Sequence, residues 1–155
     1  MRQFFMTSLV AAAAFVAFSA HAELLGKDGL PAPVVDQFDK KHPNAANVSA
    51  LAKKHFNQDL YEIHFKDGEE SLVEYYRKNG HFFVSAPVID PSGLLPPGTL
   101  DNLKAEFPNH EIKQALQIVN PNGAGEEFDF TLDVSGSHWS VSVDGEGKII
   151  GKEQY

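Results

Sequence analysis

Two places in this chain combine residue types and spacings that could hold a cation: Glu62-x-His64, and the run Ser142-Val143-Asp144-Gly145-Glu146-Gly147 with Glu153 beyond it. The second alternates oxygen-bearing residues, with Gly at its sixth position and Glu at its twelfth, on the plan of a calcium loop. Its first position is Ser where a carboxylate belongs, and the flanking pattern is that of strands. A hairpin turn at Asp144-Gly145 is therefore the simpler reading. Beyond the first 22 residues lie six histidines (42, 55, 64, 81, 110 and 138), none forming a His-x-x-x-His or similar pair with a nearby carboxylate at helical spacing. Zinc on a single element needs such spacing, so these read as scattered surface histidines, with His64 the exception, and no metal ligand is assigned.

Nucleophilic chemistry has no better footing. With no cysteine in the chain, thiol catalysis and Cys-ligated zinc are excluded. Ser71 and Ser137-His138 lack the strand-turn-helix setting of a nucleophile elbow. The pairs Glu69-Glu70 and Glu126-Glu127 lie beside turns and read as solvated charge, not as an acid and a base held apart at fixed distance. The chain is expected to be no enzyme, with no catalytic residue and no cofactor.

Residues 1–22 read as a cleaved secretory signal peptide. Arg2 supplies the early cation, an apolar stretch runs from Phe4 to Phe18 broken only by Thr7 and Ser8, and Ala20-His21-Ala22 is a small-x-small cleavage site. The stretch is shorter than the roughly 20 residues a membrane-spanning helix needs. The remaining residues, 23–155, are of a size for one domain, with no second apolar run and no stable membrane insertion expected after cleavage. They carry 12 basic against 21 acidic residues, which repels phosphate backbones, so nucleic acid is not an expected partner. An exported domain without cysteines must fold on its hydrophobic core alone.

The order of features recurs. Leu30-Pro31 returns as Leu95-Pro96, and His42-Pro43-Asn44 returns as Phe107-Pro108-Asn109 at the same offset. After a short insertion a slightly longer offset holds: Tyr61, Ile63 and Phe65 match Phe128, Phe130 and Leu132, and Leu72 matches Trp139. The two repeats span 30–86 and 95–155, joined by a connector at 87–94 that is rich in Pro and Gly.

Within each repeat the apolar period changes once. Val34, Val35 and Phe38, then Leu100, Leu103 and Phe107, lie on one face of a helix that stops before a Pro. Alternation of period two follows in Tyr61–Phe65 and Phe128–Leu132, with turns at Asp67-Gly68, Asn79-Gly80, Ser135-Gly136 and Asp144-Gly145. Val48–Phe56 fits either period; its β-rich counterpart Ile112–Val119 favours a strand. Each repeat is then a helix followed by an antiparallel meander.

A helix ending at Phe-Pro or His-Pro, an aromatic-x-apolar-x-apolar strand and a hairpin ending in Asn-Gly or Gly147-Lys148-Ile149 resemble the PepSY-like exported proteins, whose tandem architecture is similar to that of β-lactamase inhibitor protein. The resemblance implies an α+β fold in which both repeats form one continuous antiparallel sheet, helices on one face, the other face free for a protein partner. It implies binding or inhibition and carries no catalytic motif.

Two-residue turns at Asp67-Gly68 and Asn79-Gly80 place Ile63 opposite Leu72 and Tyr76 opposite Phe83. The helix side then takes Tyr61, Ile63, Phe65, Leu72 and Tyr76. The open side takes Glu62, His64, Val73, Tyr75, Arg77, Phe82 and Val84. The second repeat's open side, Asp129, Thr131, Ser140, Ser142 and Ile149, is far more polar. An apolar patch with a polar rim suits an unidentified envelope or secreted protein, unless the connector or the N-terminal segment folds over it. The alternative function is binding of a small ligand or metal through His64 with Glu62, or through the Asp144 loop. Either way the protein is expected in the periplasm or secreted.

Overall fold

The computed structural model describes residues 24–123 and 125–155; the predicted signal peptide lies outside them. In chain order the elements are β1 (Leu24–Gly26), a single 3-10 turn (Lys27–Gly29), α1 (Ala32–Lys41), β2 (Ala46–His55), β3 (Gln58–Asp67), β4 (Glu70–Arg77) and β5 (Phe82–Ser85). The second repeat contributes α2 (Thr99–Glu106), β6 (His110–Val119), β7 (Glu126–Val134), β8 (Ser137–Asp144) and β9 (Ile149–Gln154). No helix among the described residues is long and apolar enough to cross a membrane.

The expected helices form where the period of 3.6 lies. Pro33 sits in the first turn of α1, where a missing N–H costs nothing. Val34 and Phe38 are fully buried, and the chain leaves the helix at His42, before Pro43. The Phe38 ring meets Phe65 edge-on at 4.9 Å, in a core with Ile63 and Tyr76. In α2, Leu103 is buried with Phe107 against Phe128, Phe130 and Leu132, but Leu100 stays exposed.

The two meanders match in strand register. Ile63 pairs with Glu74 in the first repeat, and their counterparts Phe130 and Val141 pair in the second. Bulges recur too, between Tyr75 and Tyr76 in β4 and between Ser142 and Val143 in β8.

Three expectations are corrected. The single continuous sheet is instead two, of five strands (β1 to β5) and four (β6 to β9), each in sequence order and each with its helix on one face. Pro87 has no N–H to give a ladder, and the connector achieves one bridge, Val88 with Leu116, flanked by Ile89 N–H to Ala115 O at 2.9 Å and Gln117 N–H to Pro87 O at 3.2 Å. Next, the β3–β4 turn is Gly68-Glu69, not Asp67-Gly68; only Gly68 has positive φ (63°), the type II′ pattern. Ile63 therefore faces Glu74, and Leu72 faces Phe65. The slip is by two residues, so each side chain keeps its face. Lastly, the β4–β5 bulge sets Tyr76 opposite Phe82 rather than Phe83 and moves Phe82 to the helix side, where Lys41 Nζ lies 3.6 Å above its ring. The matching bulge pairs Val143 with Ile149 and turns Ile149 into the α2-side core.

Gly80 and Gly147 sit at equivalent hairpin ends, both at φ +87°, against the start of a helix. A Cβ there would lie 2.2 Å from Pro33 O in one repeat and 2.6 Å from Pro97 O in the other. Gly80→Ala and Gly147→Ala should each lower stability by at least about 2 kcal/mol from the left-handed backbone and the backbone clash together. Urea midpoints with unchanged slopes would show it; a midpoint that does not move in either variant would refute the account.

Candidate functional site

The inward faces of the two sheets close on each other. On one side of the seam Leu60, Val73, Tyr75 and Phe83 pack with Leu116 and Ile118 of β6. On the other the contact is ionic. Alternation along β2 sends Leu51, Lys53 and His55 inward, and along β3 it sends Leu60, Glu62 and His64. Lys53 crosses the seam: its ammonium binds Asp129 Oδ2 and the Ser140 hydroxyl, and lies 3.6 Å from Glu62 Oε2.

Every acid in this cluster is oriented by further donors. The Tyr75 hydroxyl donates to Glu62 Oε2 at 2.5 Å and His64 Nε2 lies 2.6 Å from Glu62 Oε1. The Ser142 hydroxyl donates to Asp129 Oδ1 at 2.9 Å. His55 Nδ1 is 2.9 Å from Glu127 Oε2, and the other oxygen of Glu127 accepts the Phe56 backbone N–H at 2.9 Å. That last bond fixes a tight turn, Phe56-Asn57, whose residues both adopt positive φ (49° and 57°). Such a conformation costs a bulky side chain of order 1–2 kcal/mol and so needs an anchor. His55 Nε2, by contrast, is buried with no hydrogen-bond partner among the described residues.

One cation shared by two buried carboxylates sets the protonation. Burial alone would raise Glu62, but Lys53 with the His64 and Tyr75 hydrogen bonds outweighs it and holds the carboxyl below the usual range. Asp129 is shifted the other way, mainly by burial, because the Lys53 attraction is opposed by the charge of Glu62. Burial would lower Lys53, yet Asp129 and Glu62 together raise it, so it stays an ammonium. Burial beside Glu62 pushes the Tyr75 phenol well up, keeping it a donor.

Beside the cluster opens a cleft of about 540 Å³, walled by Lys53, Phe56, Glu127, Ser140, Lys152 and Glu153 among others. It has the size of a small-molecule site.

The sequence-derived patch is dispersed by this geometry. Glu62, Val73 and Tyr75 are buried in the seam; His64, Arg77 and Val84 are partly covered; Phe82 lies on the opposite face, 43% exposed. Among the described residues, what covers the patch is the second sheet. His42 and His55 are buried rather than at the surface, and Glu127 is buried rather than solvated. Both ring nitrogens of His42 are engaged, Nδ1 by Asp67 and Nε2 by Glu74, each at 3.1 Å. The Asp144 run is a turn, its Oδ1 accepting the N–H groups of Glu146 and Lys148 at 3.0 and 2.9 Å. From the sequence Lys53 goes unnamed, and His55 and Glu127 read as surface groups; the available signal is ionisable residues at inward positions of alternating strands.

No family model matches the chain, and no curated protein sequence matches it; the PepSY-like assignment thus has no family match behind it. Solved structures similar to it include a DUF2874 family protein from Bacteroides uniformis (14% identity, TM-score 0.45, covering 80% of this chain and 88% of that one). A second is a BLIP-like protein from Bacteroides fragilis (16%, 0.43, 79% and 84%). A third is a DUF2874 family protein from Bacteroides ovatus (12%, 0.44, 81% and 87%). At that level of similarity none of them assigns an activity, a ligand or a partner to this chain.

Glu62 gives the fold a pH dependence of definite sign. Its folded-state pKa lies below the ordinary value of about 4.3, so its contribution is complete well above that pH and drains away as pH falls through it. Glu74 adds in the same direction: burial would raise it, but hydrogen bonds from Lys41 and Tyr76 lower it. Glu62→Gln should be less stable than the parent at pH 7, with the gap narrowing from about pH 5 toward pH 2 in denaturant titrations. A gap independent of pH would contradict this assignment.

Proposed function

We propose that the protein is an exported, non-enzymatic binding protein, periplasmic or secreted, that takes a small zwitterionic solute into the cleft beside the ionic seam. The observation that carries this reading is the cleft itself: about 540 Å³, with Lys54 and Lys152 on its walls for an anionic group and Asp144 and Glu153 for a cationic one. Phe56 and Ile150 supply apolar contact on the same walls. Export is read from residues 1–22, and the non-enzymatic reading rests on a seam whose hydroxyls and carboxylates hold one another.

A melting-temperature panel of amino acids and dipeptides, run in EDTA against simple anions and amines, tests the cleft. A solute that binds only the folded chain stabilises it, by about 2.7 kcal/mol at a hundred times its dissociation constant. At least one zwitterion should raise the melting temperature, and Lys54→Ala with Lys152→Ala should weaken that rise. No shift by any member at millimolar concentration would end this reading.

A second reading keeps the protein partner. Among the described residues, beyond one connector bridge, the sheets meet through side chains, the Lys53 and Glu127 contacts and the apolar packing on Leu116 and Ile118, so parting the seam would bare Glu62, His64, Val73, Tyr75, Arg77 and Val84, with Phe82 at the far side of β4–β5. Tyr75 and Tyr76 make a matched pair of reporters, both fully buried but on opposite faces of β4. Hydroxyl-radical footprinting should label Tyr75 well above Tyr76 if the seam opens. Equal protection of the two would remove the partner reading.

A further inference from the structure

The seam holds a set of groups that the cleft reading leaves unused. One ring nitrogen of His55 and one oxygen each of Glu62 and Asp129 lie within 4.8 Å of one another, all three residues buried. They come from β2 and β3 of one sheet and β7 of the other, which is why no spacing within one element announced them. Two separate observations point to a missing cation partner. Nδ1 of His55 is spoken for by Glu127, and the remaining nitrogen, Nε2, is buried and unpartnered among the described residues. A buried imidazole nitrogen with neither donor nor acceptor loses its hydration with nothing in exchange. Two buried carboxylates, Glu62 and Asp129, also share a single buried ammonium among the described residues, that of Lys53, while Glu127 pairs with His55.

We propose that His55, Glu62 and Asp129 form a divalent transition-metal site, in which Lys53 is the resident counter-cation that the metal displaces into the cleft. Each ligand already has the outer partner that metal ligands use for orientation. Glu127 accepts the Nδ1 proton of His55, which leaves Nε2 as the lone-pair nitrogen. The Tyr75 hydroxyl and His64 hold Glu62, and the Ser142 hydroxyl holds Asp129. One imidazole and two carboxylates favour zinc or another late first-row ion; calcium and magnesium prefer all-oxygen sets. Ligand atoms around a zinc at about 2.1 Å stand at most about 4.2 Å apart, a contraction that side-chain rotation can supply. Lys53 also lines the cleft, so its ammonium has somewhere to go without losing its proton. The proposal depends on the cleft reading only for that path, and not for any solute.

Zinc titration calorimetry on residues 23–155 is the test, with Zn²⁺ itself as the probe. The parent should bind one equivalent, and His55→Gln and Asp129→Asn should each weaken it at least a hundredfold. Lys53→Ala should be less stable than the parent without metal, bind zinc at least tenfold more tightly, and regain its lost melting temperature when zinc is added. A lysine with a purely structural role predicts the loss but neither the tightening nor the rescue. Equal zinc affinity in parent, His55→Gln and Asp129→Asn would overturn the site, as would a Lys53→Ala chain that binds no more tightly. Should the His55 variant fail to fold, Co²⁺ added to the parent decides: paramagnetic broadening of the His55 and Tyr75 resonances supports the site, and broadening confined to His42 or His138 overturns it. Solutes that still raise the melting temperature in EDTA while zinc does not bind would sink the metal alone. Zinc binding with an unresponsive solute panel would sink the cleft alone.

Discussion

The ionic half of the seam depends on one buried ammonium, that of Lys53, shared by carboxylates from the two sheets. Glu62 and Asp129 stand at equivalent positions of the two repeats, and each accepts a hydroxyl from its cross-strand neighbour, Tyr75 in one repeat and Ser142 in the other. Folding the sheets face to face brings these two carboxylates toward one point, and like charges that close in a low-dielectric seam repel strongly. Lys53 is what makes the approach tolerable. Lys53 pairs with Leu60 as Ile118 pairs with Glu127, so its counterpart in the second repeat is Ile118, which lies in the apolar half of the seam. The duplication is thus symmetric in its acids and asymmetric in its cation, and the arrangement works only because one of the two equivalent positions holds a lysine.

The backbone plan can be read from the sequence because it is written in local rules. A Pro-headed helix, a Pro after it and alternating strands settle each repeat without reference to the other, and the β2 assignment at Ala46–His55 rests on consistency between copies. Register is harder. Asp67-Gly68 and Gly68-Glu69 are both good turns, and only the geometry of Gly68 selects the second. That slip is harmless because a shift of two preserves faces, whereas the one-residue bulge at Phe82 is not harmless: it exchanges Phe82 for Phe83 across the sheet. β1 could not be foreseen, since Leu24–Gly26 is too short to show a period and pairs only through backbone groups.

The site is half visible in the sequence. Alternation names Glu62, His64 and Tyr75 as one face, and Asp129, Ser140 and Ser142 as another, and both sets stand. The pattern within a strand says which residues share a face; what that face meets is set by chain connectivity at long range. The difference in polarity between the two faces, read as one surface bare and one solvated, is better understood as complementarity, with an apolar-and-acidic face closing over a polar one. Lys53 is hidden by Lys54 beside it, because adjacent lysines look like solvated charge until the strand's alternation separates them, one inward and one out.

The two halves of the seam differ in what they contribute. Leu60, Val73, Tyr75, Phe83, Leu116 and Ile118 bury apolar surface at the usual gain per unit area, and they alone give the sheets reason to close. The ionic half makes no such gain. Well-packed apolar residues in place of a buried ion pair are often neutral or stabilising, so the Lys53, Glu62 and Asp129 cluster is weak as a device for stability. It also leaves His55 Nε2 without a partner among the described residues and holds Phe56 in a costly backbone conformation. Three unfavourable features within one small volume, beside a cleft that opens to solvent, are hard to account for by folding alone. They are what a chain looks like when a volume is kept polar and preorganised for something that arrives later, and the chemistry of the groups assembled there is that of cation binding.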